Sequence, residues 1–448
     1  MDRVLIMKSV KPSLQTNGRA VCLAALMRVF KQGAYSNLSL NLELQQARLS
    51  SAEKRLATRI FYGTIQRRLF LEYQLQGLAK TKLQEAYLQP LLLMSLYQLC
   101  FLDRVPASAV LDQANQLAKA FGRHHSAGYR IVNGILRAFQ RRGVKLPPAE
   151  PADQYWSIKE SYPVWLVQYL RQHFGSQQSQ QIMQTCNQPA KTSVCVSGLA
   201  NFDQVAADLA AAGFQPQRSK LSTTNLLVKK SVLGTVWFKQ GQLTLQDEAA
   251  SLPVQAFDFN GSEQVLDACA APGGKTVQLA ERLPQGHVWA LDLHQNKLQL
   301  IKDNAHRMQV ANRISTRALD ARKAASAFKP GQFQAILVDA PCSGLGLLRR
   351  KPEIRYTKSE QDLQQLSKIQ LDLLLQVAPL LAPHGQLVYS TCTISTEEDE
   401  QVVQAFLQAM PQFALSPLPF GPQEPTWKIL PSDCGSDGFF IAKFILRG

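Results

Sequence analysis

The sequence predicts three domains, the last of which is an α/β domain built on a doubly wound parallel sheet. Its 448 residues are more than one hydrophobic core usually serves. Apolar residues recur at helical spacing as far as Arg142, whereas from about Gln246 short apolar runs alternate with helical segments. We therefore expect an all-α domain at 1–145, a small α+β domain at 155–240 and the α/β domain at 241–448.

Three segments support the all-α prediction, because their apolar residues are spaced for one face of a helix. These segments are VCLAALMRVF, RLATRIFYGTIQRRLFLEYQL and YRIVNGILRAFQRR. Breaks are expected at Gly33–Ser39 and at Val105–Pro106. A proline-rich stretch without periodicity at 144–154 indicates a linker to the next domain.

The middle domain is predicted to mix helices and strands. A helical segment covers 160–186, and a second helix is expected at 201–214. Runs rich in β-branched and apolar residues predict strands at 192–199, 224–230 and 231–238.

Five short runs rich in Val, Ile and Leu predict the strands of the third domain. They are QVLDACAA, HVWALDL, RISTRAL, QAILVDA and QLVYST. Helical segments separate several of them, which is the pattern of a parallel sheet with helices on both faces. Ligands on such sheets bind at the carboxyl ends of the strands.

The positive charge lies in the first third of the chain. Lys and Arg number 49 against 33 Asp and Glu, a net charge of +16. Residues 1–145 hold 22 basic against 7 acidic residues, whereas residues 146–448 hold 27 against 26. A localised positive field attracts a polyanion, since each neutralised phosphate releases counterions. Charge alone does not separate RNA, DNA and an acidic protein, nor does it exclude an ordinary solvated helical surface.

No segment predicts a membrane span. The most apolar stretch, 87–102, is interrupted by Gln and Pro and is shorter than the roughly 18 to 20 residues that a span needs. The first residues lack the apolar core and cleavage site of a signal peptide. We expect a cytoplasmic protein without a membrane partner.

The loop after the first strand of the third domain predicts a cofactor site. Two glycines in Ala270–Thr276 let the backbone approach a ligand, and the helix that follows offers free N–H groups. Asp292 ends the next strand, where a carboxylate can bind ribose hydroxyls. NAD and S-adenosylmethionine sites both fit this pattern, although GxGxxG and Walker A motifs are absent. A tight turn without a ligand is the alternative.

Two of the eight cysteines follow neighbouring strands of the predicted sheet. Cys342 lies in DAPCSG and Cys392 in YSTCT, so both thiols and Asp339 are expected near the cofactor. No CxxC pair occurs, and we expect no bound metal. Carbon 5 of a pyrimidine is a poor nucleophile until a thiolate adds to carbon 6. A thiol, an acid that protonates N3 and a methyl donor would together allow its methylation, with Asp339 as the candidate acid.

Four motifs of the third domain closely resemble those of the RNA cytosine-5 methyltransferases. They are LDACAAPGGKT, DAPCSGLG, RRKPEIR and YSTCTI. The segments GTIQRRLFLEYQL and IVNGILRAF resemble a NusB-like helical RNA-binding domain. Together the chain resembles the Sun/Fmu type of bacterial 16S rRNA methyltransferase over most of its length. The resemblance implies a Rossmann-like methyltransferase domain and S-adenosylmethionine as the methyl donor.

The resemblance also implies roles for particular residues. Cys392 is implied to be the nucleophile and Cys342 to assist product release, with Asp339 beside them. The implied S-adenosylmethionine contacts are Cys269, Ala270, Ala271, Pro272, Gly273, Gly274, Lys275, Asp292, Asp320 and Asp339. The segment QDEA at 246–249 matches a further family segment. The implied partner is unassembled 16S rRNA, bound by a monomer.

The chain departs from the family at a few positions. Cys195 and Ser197 stand where relatives have Arg and Asn, so an RNA contact from that Arg is in doubt. Asp399 replaces a usual Asn. The run 349–351, two Arg and a Lys, is a candidate clamp for substrate phosphates, with a solvated loop as the alternative. A tRNA substrate and a non-catalytic RNA-binding or ribosome-assembly factor also remain open.

Overall fold

The computed structural model describes residues 14–32, 36–79, 83–123 and 127–447 and divides the chain into two compact units. The first unit runs to Asn187 and includes a separate piece, Lys351–Thr357. The second unit holds the rest of the chain from Gln188 onward. None of the helices in the described part is long and apolar enough to cross a membrane.

The described residues of the first unit form helices joined by loops, with no strand among them, which confirms the all-α prediction. Its helices up to Asn187 are α1 (Gly18–Gln32), α2 (Ser36–Gln46), α3 (Ser51–Gln66), α4 (Arg68–Leu75), α5 (Leu88–Phe101), α6 (Ala107–Phe121), α7 (Gly128–Arg142), α8 (Ala152–Glu160) and α9 (Val164–Cys186). The break predicted at Gly33–Ser39 is wrong at its end, because α2 begins at Ser36; its residues 33–35 lie outside the described part. Val105–Pro106 does separate α5 from α6.

Close helix packing builds the core of this unit. Phe61, Leu92 and Leu136 come from three helices and are fully buried. Gly63 in α3 faces Tyr97 in α5, and a Cβ at position 63 would lie 2.0 Å from the Tyr97 ring. Helices α3 and α5 therefore approach as closely as a glycine permits.

The second unit begins with a four-stranded antiparallel sheet in the order β2–β3–β1–β4. Its elements are β1 (Thr192–Val196), α10 (Phe202–Ala211), β2 (Gln217–Arg218), β3 (Asn225–Val228), α11 (Val236–Lys239) and β4 (Leu243–Leu245). The strand predicted at 231–238 is wrong. Gly234 adopts a φ of 81° and Thr235 caps α11 through its side chain, so the chain turns into a helix there. β4 pairs with β1 instead.

An eight-stranded sheet forms the rest of the second unit. Its strands are β5 (Gln264–Asp267), β6 (His287–Asp292), β7 (Ile314–Ala318), β8 (Phe333–Asp339), β9 (Leu381–Thr391), β10 (Phe413–Leu415), β11 (Thr426–Ile429) and β12 (Phe439–Leu446). The helices of the second unit after β4 are α12 (Glu248–Gln255), α13 (Gly274–Glu281), α14 (Leu298–Arg307), α16 (Glu360–Val377), α17 (Glu400–Ala409) and α18 (Pro431–Cys434), and α15 (Ile354–Thr357) belongs to the first unit.

The predicted doubly wound architecture is confirmed, with one addition. Strands β5 to β9 pair in parallel in the order β9–β8–β5–β6–β7. Val265 and Leu266 point into separate cores on the two faces, one with α12 and α13 and the other with α16 and α17. The addition is an antiparallel edge: β12 pairs with β9 and carries β10 and β11. The carboxyl ends of the parallel strands lie at one edge of the sheet, and the strand order reverses between β5 and β8.

Arg355 is a buried anchor of the first unit. Its guanidinium donates to the carbonyls of Gln66 and Ser161 and to Asn187 Oδ1, and it stacks 4.0 Å from the Tyr162 ring. The side chain is fully buried. The motif RRKPEIR therefore contains a structural arginine that the sequence did not reveal.

We expect Arg355→Met to lower the free energy of unfolding of the first unit by about 2–4 kcal/mol. Methionine fills similar space but leaves buried carbonyls without donors. Urea unfolding followed by circular dichroism measures the change. Arg137→Met, at an exposed position of α7, is the control. Equal stability of the two variants would contradict the anchoring role.

Candidate active site

The loop between β5 and α13 is shaped by Gly273. This residue has a φ of 102°, and a Cβ there would lie 2.9 Å from the Ile301 backbone. Only glycine fits both constraints. Because Gly273 is the N-cap of α13, the backbone N–H groups of the first turn face the open end of the sheet. The loop can therefore bind an anionic group, such as a carboxylate, at close range.

Two carboxylates follow the next strands of the sheet. Asp292 ends β6, is 9% exposed and accepts a hydrogen bond from His294 N. Asp320 follows β7 and accepts from the Arg322 guanidinium through both oxygens. These hydrogen bonds hold the pKa of Asp320 below its usual range. A cavity of about 380 Å³ adjoins Asp320 and Arg322, so the carboxylate lies beside open space.

Lys275 joins the cofactor loop to the end of β8. Its Nζ lies 2.7 Å from Asp339 Oδ2. Ser390 Oγ donates to the other carboxylate oxygen at 2.8 Å. Asp339 is thus held between the loop after β5 and the end of β9, and its carboxylate is oriented by a cation and a hydroxyl.

The thiols of Cys342 and Cys392 lie 3.1 Å apart, each in the loop that follows its strand. The hydrogen bond with Cys392 and, next, burial raise the pKa of Cys342 well above its usual range. Cys342 therefore resists losing its proton, and either of the two thiols can be the donor in the hydrogen bond between them. A third cysteine, Cys269, lies in the cofactor loop; burial and then Asp267 raise its pKa, so it is a poor nucleophile.

Backbone contacts fix the two cysteine loops against each other. Ala340 N donates to Ser390 O, and Gly346 N donates to Cys392 O. A Cβ at Gly346 would lie 2.0 Å from Gly438 O, so the second glycine of the GLG segment is needed for this close approach. The spacing of the thiols is therefore set by the fold around them.

Asp267 is a buried carboxylate beside the cofactor loop that the motifs of the sequence did not single out. It ends β5, is 1% exposed and accepts a hydrogen bond from Thr276 Oγ1 at 2.7 Å. Burial raises the pKa of Asp267 to about 7, although the hydrogen bond from Thr276 opposes this change. Its position at the end of the first strand was the only available signal.

We expect the buried Asp267 to make the protein less stable as the pH rises from about 4 to about 7. In this window the folded protein keeps a proton that an unfolded Asp, with a pKa of about 3.9, has lost. The free energy of unfolding then falls by up to about 1.4 kcal/mol per pH unit. Urea unfolding of wild type and Asp267→Asn across this range measures the effect. An equal slope in both proteins would contradict it.

The proposed phosphate clamp at 349–351 is wrong for both arginines, because their guanidinium groups have internal partners. Arg350 forms ion pairs with Asp247 and Asp437 at 2.7 Å each. Arg349 donates to the carbonyls of Gly435 and Pro189. These contacts fasten the chain after Cys342 to the QDEA segment and to the approach to β12, which gives both arginines a structural role.

The residues that depart from the family pattern also have structural partners. Cys195 is buried, and Gln278 Nε2 lies 3.1 Å from its sulfur. Ser197 Oγ donates to Glu281 Oε1 at 2.6 Å. Both partners lie on α13 or at its end, so this edge of the antiparallel sheet packs against the helix that begins at the cofactor loop.

Similarity to known proteins covers almost the whole chain. It is 37% identical over 448 residues to the "Probable ribosomal RNA small subunit methyltransferase B" of Bacillus subtilis (strain 168), with 97% of this chain and 100% of the relative covered. The chain belongs to this family of RNA methyltransferases. A "Ribosomal RNA small subunit methyltransferase B" of Yersinia pestis is 32% identical over 437 residues, covering 96% of this chain and 99% of the relative.

Family models and solved structures agree with this assignment to the methyltransferase B family. Residues 16–141 match the NusB family, 162–233 the ferredoxin-like domain of RsmF/B-like methyltransferases, and 254–445 the "16S rRNA methyltransferase RsmB/F". The crystal structure of PH0851 has a TM-score of 0.80 at 25% identity and covers 95% of this chain and 98% of its own. A "Methyltransferase Homolog Protein" from Pyrococcus horikoshii has a TM-score of 0.59 at 25% identity, with coverages of 66% and 99%.

The comparisons confirm the expected family, enzyme class and fold class. They identify the small middle domain as ferredoxin-like, which is finer than the α+β prediction.

Proposed function

We propose that this methyltransferase transfers a methyl group from S-adenosylmethionine to carbon 5 of a cytosine in 16S rRNA. Cys392 forms a transient bond to carbon 6 of the base, and Cys342 assists release. The observation that carries the proposal is the pair of thiols 3.1 Å apart beside the ends of two parallel strands, with Asp339 at the end of one of them.

The two cysteines have different roles in the proposed reaction. The Cys342 S–H stabilises a thiolate on Cys392, which adds to carbon 6 and makes carbon 5 nucleophilic. Asp339 serves N3, and the Lys275 ammonium, whose Nζ lies 2.7 Å from its carboxylate, supplies the proton that Asp339 passes to the base. The methyl donor, when bound, supplies an electrophilic methyl group to carbon 5.

Release of the methylated base depends on the bond that Cys392 has formed to carbon 6. Before that bond forms, the hydrogen bond with Cys392 is the largest cause of the raised pKa of Cys342. Once the Cys392 sulfur is bonded to carbon, that cause weakens, so the Cys342 thiol loses its proton to solvent more readily and becomes available as a base. The Cys342 thiolate removes the proton from carbon 5, the electron pair restores the double bond between carbons 5 and 6, the Cys392 thiolate leaves, and N3 returns its proton to Asp339.

The residues present fit S-adenosylmethionine. The close backbone at Gly273 and the open N-terminus of α13 suit its carboxylate, and the carboxylates of Asp292 and Asp320 suit hydroxyl and amino groups. We propose that the stretch 269–275 with these two residues and Asp339 forms the cofactor site.

We expect Asp292→Ala to weaken S-adenosylmethionine binding by about 10- to 100-fold, because the variant removes two charge-assisted hydrogen bonds. Isothermal titration calorimetry measures the affinity, and binding of 16S rRNA is measured in parallel. Exposed Asp303→Ala is the control. Unchanged affinity would remove Asp292 from the site.

We propose that the NusB-family domain binds the RNA backbone through exposed arginines. Arg130, Arg137 and Arg141 are exposed on α7, and their spacing of seven and four residues places them on one face. Arg67 and Arg68, by contrast, pair with glutamates. The α7 face is therefore a candidate for phosphate binding.

We expect the double variant Arg137→Gln, Arg141→Gln to weaken 16S rRNA binding and to reduce its salt slope by about 2, one for each phosphate that is no longer neutralised. S-adenosylmethionine affinity should not change. The double variant Lys329→Gln, Lys368→Gln removes two exposed charges from the α/β domain and is the control. Equal salt slopes in both would contradict the assignment.

Incubation of the protein with labelled S-adenosylmethionine and protein-free 16S rRNA, followed by mapping of the modified base, tests the proposed reaction. Label in a 5-methylcytosine of the RNA supports it, and label in tRNA alone would contradict the proposed substrate. We further propose a cytoplasmic monomer with domains at 1–145, 155–240 and 241–448, which sedimentation and limited proteolysis test.

A further inference from the structure

A buried carboxylate lies behind the two cysteine loops. Glu398 has no exposed surface, although it carries a group that is costly to bury. Burial raises its pKa above the usual range, and hydrogen bonds from Ser343 and Gln370 oppose this change. Glu398 does not line the cofactor loop, and the reaction proposed above gives it no step.

The hydrogen bonds of Glu398 converge on the residue after Cys342. Ser343 N donates to Oε1 at 2.7 Å, and Ser343 Oγ donates to Oε2 at 2.5 Å. Gln370 Nε2 bridges Glu398 Oε1 and Pro341 O, at 3.0 Å to each. The backbone is therefore held on both sides of Cys342 by one carboxylate and one amide.

The same cluster reaches the loop of the second cysteine. Thr393, directly after Cys392, has its Oγ1 2.8 Å from Ser343 Oγ. Tyr389 OH donates to the Glu398 backbone carbonyl, which ties the glutamate to β9. The residues that follow the two cysteines thus share one buried anchor, and a shift of the anchor changes the distance between the thiols.

We propose that Glu398 is a positioning residue that holds Cys342 within hydrogen-bonding distance of Cys392 and so sets the rate of product release. The inference rests on the proposed function, in which Cys342 acts after the methyl group has been transferred. Removal of the anchor affects release more than attack, because Cys392 keeps its place at the end of β9, whereas the Cys342 loop is no longer held through Ser343.

The first test measures the distance between the thiols without RNA. Diamide accepts two hydrogens, one from each thiol, as a bond forms between the two sulfurs, and the count of free thiols falls by two. We expect this oxidation to be about 100-fold slower in Glu398→Ala than in wild type, since a displacement near 1 Å carries a penalty of that size. Exposed Glu424→Gln is the control and should match wild type.

The second test measures the covalent complex. With 16S rRNA and S-adenosylmethionine, Glu398→Ala should accumulate protein–RNA adduct that resists denaturing electrophoresis, because release is slowed about 100-fold. Glu398→Gln keeps one acceptor oxygen and should be slowed about 10-fold. If the alanine variant does not fold, the glutamine variant carries both tests, with the same control.

The outcomes separate the inference from the function on which it rests. Unchanged diamide oxidation in both Glu398 variants overturns the positioning role. Adduct accumulation in Cys342→Ala but in neither Glu398 variant also overturns it, while the proposed function stands. If oxidation is slowed but even Cys342→Ala gives no adduct, Glu398 positions the thiols and the proposed covalent function fails.

Discussion

Cys392→Ala should abolish methylation, with a loss of about 10⁴-fold or more in turnover. The variant removes the only atom proposed to bond to carbon 6, so carbon 5 stays a poor nucleophile even with the RNA and the methyl donor in place. Transfer of label from S-adenosylmethionine to 16S rRNA measures the effect. No covalent protein–RNA complex should form in this variant.

The control for this loss is Cys434→Ala, a half-buried free cysteine of the same domain. Its turnover should equal that of wild type. S-adenosylmethionine binding should be preserved in both variants, because the cofactor residues lie on other loops. Full turnover by Cys392→Ala would refute the assignment of the nucleophile and direct attention to Cys342.

Cys342→Ala should show the opposite defect: the methyl group is transferred once, and the product is not released. We expect release to slow by about 10²- to 10⁴-fold, which is the usual contribution of a general base. A single turnover with labelled donor should leave methylated RNA bonded to the protein. Denaturing gel electrophoresis then detects one adduct per active site.

Comparison of the two cysteine variants gives the sharpest result. The double variant Cys342→Ala, Cys392→Ala should form no adduct, because the bond depends on Cys392 alone. Adduct in the double variant would assign the nucleophile elsewhere. Rapid release from Cys342→Ala would mean that another base removes the proton from carbon 5.

Local patterns predicted most of the fold. Helical periodicity up to Arg142 and alternation after Gln246 are properties of neighbouring residues, and both predictions are confirmed. The wrong prediction of a strand at 231–238 also comes from reliance on neighbouring residues alone. Its apolar residues suit a strand, but Gly234 and Thr235 start a helix, and a short apolar run does not reveal which of the two preferences prevails.

The antiparallel edge of the sheet could not be predicted from the pattern of neighbouring residues. β12 is an apolar run like the parallel strands, and its direction depends on where the chain returns to the sheet after α18. Pairing of Phe440 with Thr391 and of Ile445 with Gln386 is decided by this path. A continuous apolar run is typical of buried parallel strands, so the pattern of β12 does not reveal its antiparallel direction.

The basic residues of the first third of the chain fall into two groups in the structure: those that pair with acidic side chains and those that are exposed. Within the basic first third of the chain, Arg67 pairs with Glu160 and Arg68 with Glu72. Exposed arginines of α7, such as Arg137, remain for a partner. Composition counts charges equally, and only burial separates a structural guanidinium from an accessible one.

The sequence by itself determined the family, the chemistry-bearing residue types and the strand ends on which they lie, because motifs and periodicity are written in neighbouring residues. Only the tertiary structure decided the 3.1 Å between Cys342 and Cys392, the pairing of Lys275 with Asp339 and the anchoring of both cysteine loops by Glu398. These contacts join residues some 50 or more positions apart, and packing of the whole sheet fixes such distances.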